Sequence, residues 1–305
     1  MTLTELRYIV AVARERHFGR AAEACNVAQP TLSVAVKKLE EELDVKLFER
    51  GNTEIGVTPL GEEIVRQAQA VLEQAAAIKE IAKRGKDPLA GPLRLGVIYT
   101  IGPYLLPELV RNTIARVPRM MLQENFTVKL LDMLRAGELD CAIMAEPFVD
   151  AGLAVAPLYE EPFMVAVPRT HHLASRESIS ADELKRETML LLGAGHCFRD
   201  HVLEVCPEFA RFSSDAEGIR KSFEGSSLET IKYMVAAGMG VTVVPGLSVP
   251  KEDQPHIVYV PFEGHPPTRR VVLVWRRSFT RYEAIAALRN AIYACSLDGV
   301  TRLSA

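Results

Sequence analysis

The first part of the chain repeats hydrophobic residues at helical spacing, with polar residues between them. This pattern predicts an amphipathic helix from residue 3, a break at residues 17–19 and a short alanine-rich helix that ends near Cys25. Gln29-Pro30-Thr31 then opens a longer helix, since proline is tolerated in a first helical turn. The apolar positions of these helices are Leu3, Leu6, Ile9, Val10, Ala13, Leu32, Val36, Leu39 and Leu43.

Two further elements complete this helical part. Residues 49–53 are rich in turn-forming residues and lie between two short extended arms, which predicts a β-wing. Thr58-Pro59 supplies an N-cap and a first-turn proline, so a long helix is expected to run to about Lys83. A helix of about 25 residues is about 37 Å long, a length that suits dimerisation or a connection between domains.

After residue 88 the pattern changes to short apolar runs that alternate with helical segments. This alternation predicts an α/β domain with mostly parallel sheets, in which ligands bind beyond the carboxyl ends of the strands. The expected strands are 93–98, 120–124, 139–144, 163–167, 189–192, 240–244, 257–260 and 271–275, and the expected helices are 104–115, 127–135, 226–237 and 282–295. The usual dinucleotide, P-loop and hydrolase motifs are absent from the sequence, so we expect no cofactor.

Composition limits the class of protein. The chain has 305 residues, of which 48% are hydrophobic; this excludes wholesale disorder and predicts roughly two globular units. No apolar run approaches the ~20 residues of a membrane span, and charged residues interrupt any signal-peptide pattern near the start. We therefore expect a cytoplasmic protein without a membrane partner.

The net charge of −3 hides a local basic excess. Residues 1–39 hold six Lys and Arg residues against three acidic ones, and Glu40-Glu41-Glu42 then cancels this excess. Residues 18–43 have the layout of a helix–turn–helix, whose second helix would reach base edges and phosphates. Spacing alone also allows an ordinary helical pair with a solvated face. The candidate DNA contacts are Gln29, Pro30, Thr31, Ser33, Lys37 and, in the wing, Arg50.

A family resemblance favours DNA binding. Residues 6–61, with FGRAAEACNVAQPTLSVAVKKLEEELDVKLFER followed by VTPLGE, resemble the winged helix–turn–helix of the LysR-type transcriptional regulators. The resemblance extends over the whole chain and implies an N-terminal all-α winged helix–turn–helix, a long linker helix and a C-terminal α/β regulatory domain. That regulatory domain would have two lobes, like a periplasmic binding protein. One residue departs from the family, which usually has Ser where this chain has Ala28; a lost cap costs about 0.5–2 kcal/mol.

The resemblance also implies domain boundaries. The DNA-binding domain would occupy residues 1–58, the linker or dimerisation helix and hinge 59–88, and the regulatory domain 89–305. Lobe I would consist of residues 89–162 and 264–305, and lobe II of residues 163–263.

Two of the five cysteines stand out. Cys197 lies at or near the start of a predicted helix that runs towards Cys206 and Pro207, and such a position favours a thiolate. His196, Arg199 and His201 add positive potential. The alternative is that both cysteines are small buried residues that bracket a helix, as we expect for the remaining cysteines, which are Cys25, Cys141 and Cys295.

Geometry constrains the pair. If the residues between them are helical, the Cα atoms of Cys197 and Cys206 lie about 13 Å apart. A disulfide requires a Cα–Cα distance of about 4.4–6.8 Å. The two cysteines therefore cannot bond unless the helix between them unwinds, which would make a disulfide a switch.

The segment GHCFRDHVLEVC closely resembles that of the hydrogen-peroxide-sensing regulators of the LysR family, as do VIYTIGPYLLP, SSLETIKYMVAAG and the pair Arg269-Arg270. The resemblance implies that Cys197 is the peroxidatic and Cys206 the resolving cysteine, so that a sulfenic acid at Cys197 condenses to a disulfide. The residues implied to bind peroxide are Thr100, Thr127, His196, Asp200 and Arg270. Residue chemistry alone leaves Thr100 open as a helix N-cap and Arg270 as a surface charge.

The implied protein regulates antioxidant genes and is not an enzyme. Its implied partners are double-stranded promoter DNA, hydrogen peroxide, RNA polymerase and a thiol reductant of the glutaredoxin or thioredoxin type. The apolar stripe of the long helix requires at least a dimer, and the resemblance implies a homotetramer built as a dimer of dimers. No metal is expected, because His171-His172 has no Cys or carboxylate at ligand spacing.

Three other functions remain open from the residues. The chain could be a LysR-type regulator of a small organic effector bound between the lobes, with both cysteines inert. A thiol-dependent peroxidase fused to a DNA-binding module is the second. The α/β half alone would also suit a solute-binding transport protein, although the N-terminal module and the expected lack of a signal peptide count against that.

Overall fold

The computed structural model describes residues 1–50, 55–83, 91–113, 120–207, 222–225 and 227–303. The chain divides into two compact units. The first consists of Met1–Ala90, Asp132–Asp140 and Arg276–Glu283, and the second of Gly91–Leu131, Cys141–Trp275 and Ala284–Ala305. None of the helices within the described ranges has the combination of length and apolarity that crossing a bilayer requires.

The first unit begins with a helix–turn–helix, as predicted. Helices α1 (Leu3–Glu15), α2 (Phe18–Ala24) and α3 (Gln29–Leu43) pack around a core that includes Ile9, Leu32 and Leu39, all completely buried. Helix α2 has an N-cap that the sequence pattern did not reveal, because His17 Nδ1 accepts hydrogen bonds from the N–H groups of Gly19 and Arg20.

The predicted wing and long helix are both present. Strands β1 (Phe48–Arg50) and β2 (Ile55–Val57) pair antiparallel, and helix α4 (Pro59–Lys83) follows them. The Thr58 hydroxyl accepts a 2.9 Å hydrogen bond from the N–H of Gly61, so Thr58 is the N-cap that the sequence predicted.

The second unit alternates strands and helices. Its strands are β3 (Leu93–Ile98), β4 (Met120–Asn125), β5 (Cys141–Ala145), β6 (Leu153–Pro168), β7 (Met189–Leu192), β8 (Ser222–Gly225), β9 (Thr242–Pro245), β10 (Ile257–Pro261), β11 (Thr268–Arg276) and β12 (Thr301–Arg302). Its helices are α5 (Gly102–Thr113), α6 (Thr127–Arg135), α7 (Ala181–Leu184), α8 (Cys197–Val205), α9 (Leu228–Ala236) and α10 (Tyr282–Tyr293). Three of these elements, α6, α10 and β11, extend past the division into units.

The prediction of mostly parallel sheets is wrong. Strand β3 pairs parallel with β4 and β5, and β7 pairs parallel with β8. However, β6 pairs antiparallel with β9, β10 and β12, and β11 pairs antiparallel with β5. An apolar run of strand length shows that a strand is buried but does not show the direction of its partners, which is why the pattern could not distinguish the two arrangements.

Strand β6 is much longer than the strand that the sequence pattern predicted. The sequence pattern predicted only residues 163–167, whereas the strand begins at Leu153 and continues past residue 162, where the lobe boundary was predicted. Glu160 and Glu161 interrupt its apolar pattern, yet Glu161 is completely buried. The pattern therefore missed the first part of the strand, because Glu161 is charged but is buried with an ion-pair partner, Arg269.

Candidate functional site

Three chain segments meet in a small cavity in the second unit. The first segment, at the end of β3, is Ile98-Tyr99-Thr100, and the second, at the end of β4, is Asn125-Phe126-Thr127. The third, at the start of α8, is Gly195-His196-Cys197. The parallel pairing of β3 with β4 brings the first two segments to the same edge of the sheet. The cavity volume is about 10 Å³, close to the minimum that holds one water molecule.

The amino-terminal ends of two helices line this cavity, because α6 and α8 begin at Thr127 and Cys197, while α5 begins two residues after Thr100. A helix amino terminus carries unpaired N–H groups and a partial positive charge, both of which favour an anion. Cys197 is the first residue of α8, in agreement with the sequence prediction, and its side chain is half-buried.

The two threonines implied by the family resemblance both line the cavity. Thr100 and Thr127 are buried, at 3% and 8% exposure. The Thr100 hydroxyl accepts a hydrogen bond from Arg269, whereas the buried Thr127 hydroxyl has no hydrogen-bond partner among the described residues. An unpartnered buried hydroxyl is costly, so Thr127 is available to a small polar molecule in the cavity.

The structure places Arg269, and not Arg270, beside these residues. Arg269 is completely buried and donates to Glu161 Oε2 at 2.7 Å and to Thr100. Arg270 is exposed and pairs with Glu160 Oε1 at 2.7 Å. Neighbouring side chains on a strand point to opposite faces, and β11 alternates between exposed and buried positions here. The family resemblance implied Arg270, whereas the arginine that contacts the cavity residue Thr100 is Arg269.

Arg269 acts electrostatically on Cys197. Burial by itself would lower the pKa of Arg269, but the negative charges of Glu161 and of Cys197 in its thiolate form outweigh this effect and raise the pKa. A guanidinium that stays charged can stabilise negative charge that develops beside Cys197 during a reaction. The Phe198 ring, 5.0 Å from the Arg269 guanidinium carbon, completes the enclosure of this charge.

The other two predicted peroxide-binding residues differ in placement. His196 is buried, lines the cavity and contacts the rings of Tyr99 and Phe126. Asp200 lies in the first turn of α8 but is exposed and is not among the cavity residues.

Cys206 lies at the opposite end of α8, where it caps the helix and is completely buried in the hydrophobic core of this part of the unit. Neither cysteine is in a disulfide, so the structure represents the reduced form. Helix α8 is continuous from Cys197 to Val205, which confirms the helix on which the separation of about 13 Å depends.

The remaining cysteines have different surroundings. Cys141 and Cys295 are buried, as predicted, while Cys25 is only half-buried. Burial raises the pKa of the thiols of Cys25 and Cys295, which disfavours their thiolate forms. These thiols therefore lack the features that make Cys197 a candidate nucleophile.

One cluster of potential metal ligands occurs within the described ranges, formed by His171, His172 and Glu187. The carboxylate that the sequence spacing did not reveal comes from a later segment, and its oxygens lie 3.2 Å and 3.3 Å from the two Nε2 atoms. However, His171 Nδ1 accepts a hydrogen bond from the N–H of Leu173. In a neutral ring the proton then sits on Nε2 and is donated to Glu187, so this nitrogen has no lone pair for a metal.

The predicted DNA contacts lie on the outer face of α3. Gln29, Pro30, Thr31 and Lys37 are exposed and Ser33 is half-buried, opposite the buried Leu32, Val36 and Leu39. Arg50 ends β1, and its side chain lies outside the described residues. Ala28 is the N-cap of α3 and makes no side-chain hydrogen bond, consistent with the loss of the hydroxyl that the family usually carries there.

Comparisons with known proteins match both parts of the chain. Residues 3–62 match the family of bacterial regulatory helix-turn-helix proteins of the lysR type, and residues 86–294 match the LysR substrate binding domain. The hydrogen peroxide-inducible genes activator of Pectobacterium carotovorum subsp. carotovorum is 39% identical over 94% of this chain and 95% of that protein. The DNA-binding transcriptional dual regulator OxyR of Escherichia coli K12 is likewise 39% identical, over 94% of each chain.

Solved structures agree with these matches. A full-length cysteine-to-aspartate variant of OxyR from Pseudomonas aeruginosa has 48% sequence identity and a TM-score of 0.80, covering 100% of this chain and 99% of that one. A cysteine-to-serine mutant of Corynebacterium glutamicum OxyR, in the hydrogen-peroxide-bound form, has 34% identity and a TM-score of 0.61, covering 95% of this chain and 91% of that one. The chain belongs to the LysR family of bacterial transcriptional regulators.

Proposed function

We propose that this regulator responds to hydrogen peroxide through oxidation of Cys197 and activates antioxidant genes. The observation that carries the proposal is the placement of Cys197 at a helix amino terminus, in a water-sized cavity with the unpartnered hydroxyl of Thr127 and beside the charged Arg269. The relatives named as hydrogen peroxide-inducible genes activators, together with the peroxide-bound relative, support the same assignment.

In the first step, the Cys197 thiolate sulfur attacks one oxygen of hydrogen peroxide. A sulfur–oxygen bond forms, the oxygen–oxygen bond breaks, and the departing hydroxide takes up a proton to become water. Cys197 is left as a sulfenic acid. The hydroxyls of Thr100 and Thr127 hold the peroxide, assisted by His196, and Arg269 stabilises the negative charge. Asp200 and Arg270 are exposed and do not line the cavity, so we assign them no role in this step.

In the second step, Cys206 attacks the sulfenic sulfur, a disulfide forms and water leaves. Because α8 holds the two cysteines apart, this step requires the helix to unwind, and the refolded segment changes how subunits meet. Two electrons from a thiol reductant of the glutaredoxin or thioredoxin type then restore the dithiol.

The size of the cavity favours this function over recognition of an organic effector at the same place. A space that holds about one water molecule cannot accept a carboxylic acid of several carbon atoms without displacing its walls. The peroxidase alternative differs in turnover, and we propose that the chain is not an enzyme but is oxidised once for each switching event.

The remaining assignments follow from this role. Gln29, Pro30, Thr31, Ser33, Lys37 and Arg50 bind promoter DNA, and the protein acts in the cytoplasm with RNA polymerase as a further partner. Helix α4 has exposed apolar residues, among them Leu60, Val71 and Ile78, which support pairing with a second subunit and assembly into a tetramer as a dimer of dimers.

The deciding experiment is thiol mapping by mass spectrometry after brief exposure of the purified protein to low micromolar hydrogen peroxide. We expect oxidation at Cys197 and a disulfide to Cys206, with Cys25, Cys141 and Cys295 unchanged. Cys197→Ser is expected to bind DNA and to lose the peroxide response, while the matched control Cys25→Ser keeps both. If Cys197 stays reduced while the other thiols react, the proposal is wrong. Steady peroxide turnover with a reductant and without DNA would show a peroxidase instead.

A further inference from the structure

Each of the three reactive or hydrogen-bonding residues in the cavity directly follows a side chain with a ring. The pairs are Tyr99-Thr100, Phe126-Thr127 and His196-Cys197. The three rings contact one another edge to face, with centroids 5.2 Å apart for Tyr99 and Phe126, 4.8 Å for Phe126 and His196, and 5.8 Å for Tyr99 and His196. We call this closed triangle of rings the aromatic lip.

The exposed fractions show which side of the cavity the lip occupies. Tyr99 and Phe126 are 37% and 36% exposed, whereas Thr100 and Thr127 are almost completely buried. The two rings therefore belong to the solvent-exposed part of the cavity lining, and the two hydroxyls to its buried part. Hydrophobic side chains of this size are normally buried, so their exposed position at the mouth of a functional cavity needs an explanation.

Gly195 fixes the distance between the lip and the loop that carries Cys197. Its φ of +96° lies in the region that favours glycine, and an added Cβ atom would lie 3.4 Å from Phe126 Cδ1. The Phe126 ring thus rests directly against the backbone just before His196. Little free space remains between ring and loop for a bulky group.

We infer that Tyr99 and Phe126, held in place by His196, are specificity-determining residues that admit hydrogen peroxide to Cys197 and exclude alkyl hydroperoxides. The inference rests on the proposed peroxide response and names the substrate class of that site. With either oxidant the Cys197 thiolate attacks the terminal peroxide oxygen, forming a sulfur–oxygen bond and breaking the oxygen–oxygen bond. The leaving group is hydroxide from hydrogen peroxide and an alkoxide from an alkyl hydroperoxide. On protonation the hydroxide becomes water and the alkoxide becomes an alcohol.

The two reactions differ only in where the alkyl group must lie. A cavity of about 10 Å³ does not hold a tert-butyl group, and we expect an outer ring to move aside when such a group approaches Cys197. This movement breaks the edge-to-face contacts of the lip, each worth about 0.5–1.5 kcal/mol beyond area burial. Selectivity then arises from displacement of the rings, since both oxidants present the same peroxide oxygen to the sulfur.

The test compares rate constants for Cys197 oxidation by hydrogen peroxide and by tert-butyl hydroperoxide in the full-length protein. The reaction is quenched by alkylation, and the remaining Cys197 thiol is quantified by peptide mass spectrometry. Tyr99→Ala/Phe126→Ala is expected to raise the tert-butyl hydroperoxide rate, so that the ratio of the two rates falls by about 10-fold or more. Tyr99→Phe keeps the ring and should keep the ratio, and Tyr233→Ala removes an exposed ring outside the lip.

The outcomes separate the inference from the function on which it rests. A parent protein whose Cys197 does not react with hydrogen peroxide contradicts the proposed function itself. A reactive parent whose rate ratio is unchanged in the double variant overturns only the inference, as does an equal fall in both rates. If the double variant does not fold, Phe126→Leu and Phe126→Trp decide the question, because the smaller side chain should lower the ratio and the larger one raise it.

Discussion

Arg269 donates a hydrogen bond from Nη1 to the hydroxyl of Thr100 at 2.8 Å, and both side chains are buried. Glu161, also completely buried, accepts from Arg269 Nε at 2.7 Å. A buried ion pair with additional hydrogen bonds holds its geometry rigidly, because losing either partner leaves an uncompensated charge. The cation beside Cys197 is therefore fixed in position before any peroxide arrives.

Replacing Arg269 should slow the oxidation of Cys197. We expect Arg269→Met/Glu161→Gln to lower the rate with hydrogen peroxide by about 10- to 100-fold, since the cation is lost while no unpaired buried charge remains. Arg270→Met is the matched control, and its rate should stay within about three-fold of the parent because Arg270 is exposed. Quenched alkylation of Cys197 measures both rates. A larger effect at Arg270 would reverse the assignment of the two arginines.

The stability of α8 should control how fast the disulfide follows the sulfenic acid. Glu204 is exposed near the end of α8, so substitutions there leave the core unchanged. Glu204→Gly and Glu204→Ala remove the same charge but differ in helix propensity by about 1 kcal/mol. We expect disulfide formation to be up to about five-fold faster in the glycine variant, in proportion to the unwound population.

The measurement for this pair is rapid quenching with a sulfenic-acid trap, followed by quantification of trapped Cys197 and of the Cys197–Cys206 disulfide. The first step, loss of the Cys197 thiol, should be the same in both variants. Equal rates of disulfide formation in the glycine and alanine variants would show that unwinding of α8 does not limit the reaction.

Lys37 should contribute a phosphate contact and Gln29 a base contact. Lys37 is exposed, and its ion pair with Glu41 at 3.5 Å is weak enough to exchange for DNA. Lys37→Ala should reduce the slope of log affinity against log salt by about 0.9. Gln29→Ala should instead reduce discrimination between operator and unrelated DNA by about 1–3 kcal/mol.

Fluorescence anisotropy across a salt series measures both effects. Lys251→Ala removes an exposed lysine from the second unit and serves as the charge control, with no expected change in slope. A similar loss of affinity in Lys251→Ala and Lys37→Ala would indicate a general charge effect rather than a contact by α3.

Restoring the missing N-cap of α3 should stabilise the DNA-binding part of the chain. Ala28 has the extended backbone of an N-cap but no side-chain oxygen to accept from the first turn. Ala28→Ser should therefore add about 0.5–2 kcal/mol to the free energy of unfolding of this part. Val34→Ser places the same hydroxyl at an exposed mid-helix position and should not stabilise. Chemical denaturation of the two variants beside the parent checks the prediction, and equal shifts would contradict it.

His201 should make the fold sensitive to mild acid. Burial lowers the pKa of His201 from its usual 6.5, although the hydrogen bond between Nε2 and the Glu146 carbonyl oxygen opposes this effect. Below about pH 6.5 the unfolded chain therefore binds a proton that the folded chain resists. Stability falls as the pH drops from there and levels off below the lowered folded pKa.

His201→Gln keeps a donor for Glu146 and removes the titration. Between about pH 7.5 and pH 5.5, its Tm should fall less than that of the parent. His265→Gln removes an exposed histidine and should follow the parent. Parallel pH curves for His201→Gln and the parent would exclude this contribution.

Local sequence signals predicted the local features of the molecule. Thr58-Pro59 marked the start of α4, Gln29-Pro30 opened α3, and the helix predicted to run towards Pro207 was expected to begin at or near Cys197. Each depends on chemistry within a few residues, such as a cap, a fixed φ or an unpaired N–H group.

Features that depend on distant partners could not be predicted in this way. The choice between Arg269 and Arg270 depends on which face of β11 meets the buried Glu161. The strand that contains Glu161 was underestimated for the same reason, since its partner comes from another part of the chain. Tyr99 and Phe126 read as ordinary hydrophobic residues until the parallel pairing of β3 and β4 places them next to His196.

The single helix between Cys197 and Cys206 also separates oxidation from the conformational change in time. Hydrogen peroxide can oxidise Cys197 while the fold is unchanged, but the rest of the molecule changes only after α8 unwinds. The response time at high peroxide is then set by the helix and not by the oxidant. During that interval the sulfenic acid is exposed to a second oxidation, which would end the cycle irreversibly. A more stable α8 thus reduces switching after brief oxidation, but it also lengthens the time in which Cys197 can be oxidised irreversibly.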